Sequence, residues 1–278
     1  MLVNGKKIAD LILHHSQRQV VQLRKKNIIP HLAIILLGSD QASLTYIKKK
    51  QQAADKIGVK FSLYHLSTKL NNEQIIKKIN SIQKNKLSGI IVQLPLLKKY
   101  DRKKILNAIK PELDVDLMTY TTWGQLASAE NRLEPPTPAA ILEVLKHYKI
   151  SLTGKHVVVV GRGWLIGKPL ANLLMQQPVT LTICGQSTRN LSHYTKQADI
   201  LISAVGKYNL IRGFMIKLKG VVLDAGFTIN NGKICGDVNT IEANKIARLV
   251  SPTPGGIGPI TVAKLLDNVV QNAKFLYS

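Results

Sequence analysis

Residues 157–169, V-V-V-V-G-R-G-W-L-I-G-K-P, constrain the fold more than any other stretch of the chain. Four β-branched residues lead straight into Gly161, Gly163 and Gly167, and apolar residues follow at helical spacing through Leu170, Leu173 and Leu174. The pattern predicts a buried strand, a glycine turn and the start of a helix. Glycine lets the main chain turn sharply and approach a ligand, and a helix start offers unpaired N–H groups to a diphosphate. The spacing is G-x-G-x-x-x-G, a departure from the commonest dinucleotide fingerprint, so an ordinary βα turn stays open on this stretch alone. Residues 179–184, V-T-L-T-I-C, weaken that alternative. They supply a second strand after one intervening helix, as a βαβ unit requires.

The rest of the chain repeats the alternation. Residues 3–26 predict an amphipathic helix with Ile8, Leu11, Ile12, Val20, Val21 and Leu23 on or near its apolar face. Strands are expected at 31–38, 60–67 and 89–96. Helices are expected from a Ser39-Asp40 cap to about Ile57, at 71–82 with Ile75, Ile76 and Ile79 inward, and at 101–109. Residues 111–138 show little periodicity and read as a connection between domains, lining a cleft. A helix follows to about His147, then strands at 156–161, 179–184, 200–206 and 220–226. Residues 251–261 read as a proline-glycine loop, and residues 261–275 as a last helix that packs back on the first domain. The βαβ order predicts an α/β protein with parallel sheets, and 278 residues suffice for two cores.

Charge narrows the class of partner. The chain carries 39 Lys and Arg against 16 Asp and Glu, a net +23. Aromatics are only 5%, the basic residues are dispersed, and no nucleic-acid-binding motif occurs, so nucleic acid is not expected. Solvated lysine faces and attraction of polyanionic small molecules are the remaining explanations. No apolar run approaches the roughly 20 residues of a membrane span. Cys184 and Cys235 form no metal-like pair, which suits a reducing cytoplasm.

Several short motifs carry chemistry. Tyr46 and Lys50 lie one helical turn apart on one face, with a solvated lysine face as the plain alternative. Gln93, in V-Q-L-P, sits at the C-terminal end of a strand, where open α/β sheets form their sites. Asp114 and Asp116 are acids in a basic chain, and Asp114 also suits turn capping. Residues 254–259, P-G-G-I-G-P, would let backbone approach a flat ligand or form a rigid turn.

Taken in order, Y-x-x-x-K, V-Q-L-P-L, D-V-D, T-P, V-V-G-R-G-x-x-I-G-K-P, A-D-I-L-I-S-A-V-G-K, G-D-V and T-P-G-G-I-G-P-I-T span almost the whole chain. This ordered set resembles the bifunctional methylenetetrahydrofolate dehydrogenase/methenyltetrahydrofolate cyclohydrolase family. The resemblance implies a three-layer α/β substrate domain (1–138 plus 259–278), a Rossmann-like domain (139–258), a cleft between them, and a cytoplasmic homodimer formed through the Rossmann domains. It implies oxidation of methylenetetrahydrofolate and hydrolysis of the methenyl product to 10-formyltetrahydrofolate, with no metal. Lys50 matches the catalytic lysine, Gln93 the glutamine that tunes it, Tyr46 the tyrosine that stacks on folate and Asp116 the pterin-binding aspartate. Val92, Leu94 and the segment Pro254, Gly255, Gly256, Ile257 and Gly258 match substrate-facing positions. Gly161, Arg162, Gly163, Gly167, Gln186, Ser187 and Phe227 match the cofactor site.

No acid follows the second Rossmann strand, and Arg162, with Arg189 near, could meet a 2′-phosphate, so NADP is preferred over NAD. The chain also departs from the family pattern. Gly185-Gln186 replaces His-Ser, Leu117 replaces a glycine after D-V-D, Met118-Thr119 replaces the next turn, Pro136 and Ala140 alter P-C-T-P-x-G, and Gln41 replaces a proline. Leu117 is costly if its φ is positive. A dehydrogenase with weak or no cyclohydrolase activity, a non-catalytic folate-, nucleotide- or RNA-binding paralogue and a generic amino-acid dehydrogenase are the alternatives, the last disfavoured by Y-x-x-x-K and P-G-G-I-G-P. The cluster Lys98, Lys99, Arg102, Lys103 and Lys104 is placed to steer anionic folate tails.

Overall fold

In a computed structural model, which describes residues 1–278 apart from the Ala42 side chain, the chain divides into two compact units. One comprises Leu11–Pro135 and Val262–Ser278, and the other Met1–Asp10 and Pro136–Thr261. The first contains most of α1 (Gly5–Lys25), then β1 (His31–Leu37), α2 (Gln41–Ile57), β2 (Lys60–Leu66), α3 (Asn72–Ile82), β3 (Gly89–Val92), α4 (Arg102–Leu106) and α5 (Tyr120–Ala127). Its sheet is parallel, in the order β2-β1-β3. The central strand β1 is buried along all seven residues, which explains its unbroken apolar run L-A-I-I-L-L after His31.

Local chemistry sets the helix ends. Asp40 caps α2 by accepting from the Ser43 N–H at 2.8 Å, and Gly58 ends it in the left-handed region at φ 81°. Asn71 and Gln74 form a reciprocal capping box on α3, whose Ile75 and Ile79 are fully buried. The α1 stripe differs from the expected one. Ile8, Val20 and Leu23 are buried, but Leu11 and Val21 are about half exposed, and Ala9, Leu13 and Ser16 face inward. Ser16 fits there because its hydroxyl donates to the Asp267 carboxylate at 2.8 Å.

Residues 111–138 are more ordered than their composition suggests. They contain a 3-10 turn at Pro111–Leu113, the helix α5 and the start of α6 (Pro136–His147). Helix α5 leaves little trace in the sequence because Thr122 and Leu126 are its buried residues, too few to set a period. Strand β3 ends at Val92, although the Gln93 N–H still donates to the Ile35 carbonyl at 2.8 Å. Leu94–Pro95 is cis, and proline has no N–H to continue the ladder.

The second unit follows with β4 (Lys155–Val160), α7 (Gly167–Met175), β5 (Val179–Cys184), α8 (Leu191–Thr195), β6 (Ile200–Ser203) and β7 (Val221–Asp224). A short antiparallel hairpin, β8 (Thr228–Asn230) and β9 (Lys233–Cys235), precedes α9 (Thr240–Ile246) and β10 (Leu249–Ser251). The parallel sheet runs β10-β7-β6-β4-β5. Leu2 bridges Val250 in the parallel sense, so the N-terminal segment lines the β10 edge. The last helix, α10 (Ile257–Tyr277), starts four residues before the expected Thr261. Pro259 falls in its first turn, where a missing N–H leaves no bond unmade.

Candidate active site

Four expected residues meet inside the first unit. Helix α2 presents Tyr46 and Lys50 one turn apart, and the Lys50 Nζ lies 4.8 Å from the Tyr46 ring centroid. The end of β3 presents Gln93, whose Oε1 accepts from the Lys50 Nζ at 3.0 Å. The Gln93 Nε2 donates to the Leu94 carbonyl at 2.8 Å, and this second bond fixes which end of the amide faces the lysine. Lys50 is 6% exposed. Burial pushes its ammonium down to about 8, against the opposing pull of the Asp116 carboxylate. Asp116 is raised by burial, lowered by Lys50 and raised again by Asp114. Tyr46 is raised by burial and then by Asp116, so it stays a neutral phenol.

The loop that carries Asp116 is held by its neighbour Asp114. Asp114 bridges to Ile90 of β3 in the parallel sense, which sets the loop beside the Gln93 strand. Its Oδ2 accepts from the Met118 N–H at 2.8 Å, the Thr119 N–H at 2.7 Å and the Thr122 hydroxyl at 2.7 Å. Its Oδ1 is buried with no protein partner among the described residues. Between these anchors Leu117 takes φ 55°, the conformation a glycine adopts easily, and its side chain is 4% exposed. From α10, Asn268 donates to the carbonyls of Val115 and Glu134, and Asn272 to those of Ser88 and Glu112. These asparagines were missed, yet a signal was present: Asn268 and Asn272 lie one turn apart on an otherwise apolar helix.

The remaining expected residues lie in the second unit. Gly161, at φ 109°, follows β4, and a Cβ there would stand 2.5 Å from the Ala204 carbonyl oxygen. A Cβ on Gly167, the first residue of α7, would stand 2.0 Å from the Gly161 carbonyl oxygen. Gly163 has nothing within 4 Å of that position, so the turn is tight behind and open in front. Glycine turns of this form, between a strand and a helix start, are where open α/β sheets admit a dinucleotide. The exposed Arg162 donates from Nη2 to the Ser187 hydroxyl at 3.3 Å. A Cβ on Gly185 would stand 2.3 Å from the Arg162 Nε, so the departure at Gly185 makes room for the arginine. Gln186 is exposed, and so is Phe227, at 55%. Pro254 follows a cis bond, Gly255 takes φ 101°, and Ile257 is buried as the first residue of α10. Val92 is buried at the end of β3, and Leu94 is half-buried. Among the described residues there is no group of His, Cys, Asp and Glu able to hold a metal ion.

Comparison with known proteins also gives two domains, with bounds that differ from the compact units at both chain ends. Residues 3–116 match the catalytic domain of tetrahydrofolate dehydrogenase/cyclohydrolase, and residues 135–276 match its NAD(P)-binding domain. The chain is 41% identical to the bifunctional protein FolD of Acetivibrio thermocellus over 98% of this chain and 96% of that protein. The crystal structure of the Campylobacter jejuni FolD methylenetetrahydrofolate dehydrogenase/cyclohydrolase superposes with a TM-score of 0.96 at 36% identity, covering 99% of both chains. The Trypanosoma brucei methylenetetrahydrofolate dehydrogenase-cyclohydrolase, solved with NADP cofactor and inhibitor, superposes with a TM-score of 0.94 at 32% identity, covering 99% of this chain and 97% of that one.

Proposed function

The chain belongs to the tetrahydrofolate dehydrogenase/cyclohydrolase family, and we propose that it oxidises 5,10-methylenetetrahydrofolate with NADP and hydrolyses the methenyl product to 10-formyltetrahydrofolate. The observation that carries this reading is the Lys50 ammonium, buried against Gln93 and Tyr46 with its pKa pushed down to about 8. Hydrolysis of a methenyl cation needs a proton taken from the attacking water and one delivered to the departing nitrogen. At pH 7 a lysine of pKa 8 is neutral in about a tenth of molecules, whereas an ordinary one is neutral in about one in three thousand. Lys50 therefore serves as general base and, once protonated, as general acid. Gln93 holds the Nζ in place, Tyr46 offers its ring face to the folate, and Asp116 accepts from the pterin. Val92, Leu94 and residues 254–258 flank the substrate.

Gly161, Arg162, Gly163 and Gly167 hold the dinucleotide, and Gln186, Ser187 and Phe227 line it. When bound, the nicotinamide supplies the hydride acceptor for the oxidation. Arg162, fixed by Ser187, meets the 2′-phosphate, and no acid after β5 competes for the ribose hydroxyls. The open edge strand β5, where Ile183 is 43% exposed, supports homodimer formation through this unit. The free thiols of Cys184 and Cys235 support a cytoplasmic location. Among the described residues, no helix is long and apolar enough to cross a membrane. The exposed cluster Lys98, Lys99, Arg102, Lys103 and Lys104 attracts anionic folate tails.

The test is absorbance of methenyltetrahydrofolate formed from methylenetetrahydrofolate, with NADP and NAD in parallel. Turnover with NADP is expected, and Arg162→Ala should cut the preference for NADP over NAD by about ten-fold. An unchanged ratio would remove Arg162 from cofactor choice. No turnover with either cofactor, in folded protein, would remove the enzyme reading.

A further inference from the structure

Two buried aspartates of the second unit have no part in the chemistry above. Asp237 is fully buried, and Asp224 is 1% exposed. The Asp237 Oδ2 accepts from the Ser203 hydroxyl and the Val205 N–H, both at 2.7 Å, and its Oδ1 from the Lys207 N–H at 2.7 Å. The Asp224 Oδ1 accepts from the N–H groups of Gly226 at 2.9 Å and Asp237 at 3.2 Å, and its Oδ2 from the Val238 N–H at 3.0 Å. The Asp224 N–H donates to the Ser251 hydroxyl at 2.7 Å. Each carboxylate also packs on a glycine beside the other. A Cβ on Gly226 would stand 2.2 Å from the Asp237 carboxyl, and one on Gly236 would stand 2.0 Å from the Asp224 Oδ2.

The bonds converge on one place in the sheet. Ser203, Asp224 and Ser251 end the adjacent parallel strands β6, β7 and β10. The loops they hold, 204–207, 225–227 and 251–253, leave the C-terminal edge, where open parallel sheets take their ligands. The first of these loops touches the cofactor turn directly, since the Ala204 carbonyl fills the space where Gly161 lacks a side chain. The second leads to the exposed Phe227. Each of these carboxylates accepts three bonds from neutral protein donors, spread over both oxygens, so its effect passes through the loops it fixes.

We propose that Asp224 and Asp237 are positioning residues for the dinucleotide: by locking the loops after β6 and β7 they set cofactor affinity without entering the folate site. The proposal rests on the dinucleotide reading above. Asp237→Asn is close to isosteric but turns an acceptor into a donor facing either the Lys207 N–H or the Ser203 and Val205 pair. In the full-length variant the KM for NADP should rise about ten-fold or more, as when a charge-assisted hydrogen bond is replaced by two opposed donors. Its KM for methylenetetrahydrofolate, and the hydrolysis of methenyltetrahydrofolate without dinucleotide, should stay within about two-fold.

Ser203→Ala keeps the carboxylate and removes one donor, and should raise the KM for NADP about three-fold. It decides the matter if Asp237→Asn does not fold. A folded Asp237→Asn protein with the wild-type KM for NADP would overturn the proposal, as would equal loss of both reactions or an unchanged KM in Ser203→Ala. Failure of the wild type to bind NADP or NAD would overturn the dinucleotide reading itself, an outcome distinct from a variant-specific loss.

Discussion

The two units bury charge in opposite ways. In the second, Asp224 and Asp237 accept from six N–H and O–H groups between them, and each carboxylate oxygen has at least one partner. In the first, Lys50 donates to Gln93 alone among the described residues, and one oxygen of Asp114 has no protein partner. A buried carboxylate bonded on both oxygens fixes shape, because any movement would break several bonds together. An under-partnered charge keeps valences for a ligand and has a proton whose affinity burial has shifted toward neutrality. The same desolvation therefore makes a clamp in one unit and a reactive group in the other. Asp114 also accepts three bonds, but all on Oδ2, so the spread of the bonds over the charged group, and not their count, separates the two cases.

The sharpest way to break this comparison is to remove the reactive charge. Lys50→Met should lower hydrolysis of methenyltetrahydrofolate by about a thousand-fold, within the range for a lost general acid–base, while NADP binding stays unchanged. In the wild type, the rate should climb as pH rises through about 8, since the base form of Lys50 is the unprotonated one. A pH–rate profile of both proteins checks this, and a variant retaining the wild-type rate and profile would make Lys50 a buried structural residue.

The next effect tests the clamp. Burial raises Asp224 to about 6, from 3.8, against the pull of three backbone N–H groups. A folded pKa above the unfolded one means that protonation favours the fold. That contribution is full below about 3.8 and is lost as pH rises through about 6, a change on the order of 3 kcal/mol. Asp224→Asn lacks this window. The difference in unfolding free energy between wild type and variant should therefore shift by up to this amount between pH 4 and 7, measured by denaturant titration. A constant difference would show that Asp224 titrates as an ordinary carboxyl.

The smallest difference separates two variants of the loop that carries Asp116. Leu117 combines a positive φ with a buried side chain. Truncation loses about 2–5 kcal/mol of packing, while the left-handed conformation costs a non-glycine residue about 1–2 kcal/mol. Packing wins, so both Leu117→Ala and Leu117→Gly should be destabilised. The glycine variant, freed of strain, should be the more stable of the two by about 1 kcal/mol, the reverse of the usual order in regular structure. Equal unfolding midpoints would remove strain from the account.

What could be read from sequence follows the same divide. The run V-V-V-V before Gly161 was legible because a strand buried on both faces has no polar alternation to confuse it. Tyr46 and Lys50 were legible because helix geometry turns a four-residue spacing into a shared face. A leucine at 117 is costly only where its φ is positive, and the φ of 55° is set by the folded loop rather than by any sequence pattern. Asp237 and Ser203 meet across 34 positions, and Asn272 and Ser88 across 184. Pairings of that kind have no period, so neither the clamp nor the asparagine ladder could be derived from pattern. Helix α5 was lost for a related reason: its start is capped by Thr119, and Thr122 is tied to Asp114, with little apolar patterning to show for either.

The division of the chain between its units has a consequence for biosynthesis. The unit holding Lys50 and Asp116 draws on residues 11–135 but also on residues 262–278, whose Asn268 and Asn272 tie down the loop backbone. At roughly 5–20 residues per second, a ribosome needs on the order of ten seconds to travel from residue 136 to residue 262. For that interval the nascent β1–β3 sheet waits with the carbonyls of Ser88, Glu112, Val115 and Glu134 lacking their native partners. The first ten residues wait likewise for the strand β10 they line. Neither unit can finish vectorially, so chaperone shielding during elongation, and the speed of elongation itself, become determinants of how much active protein is made.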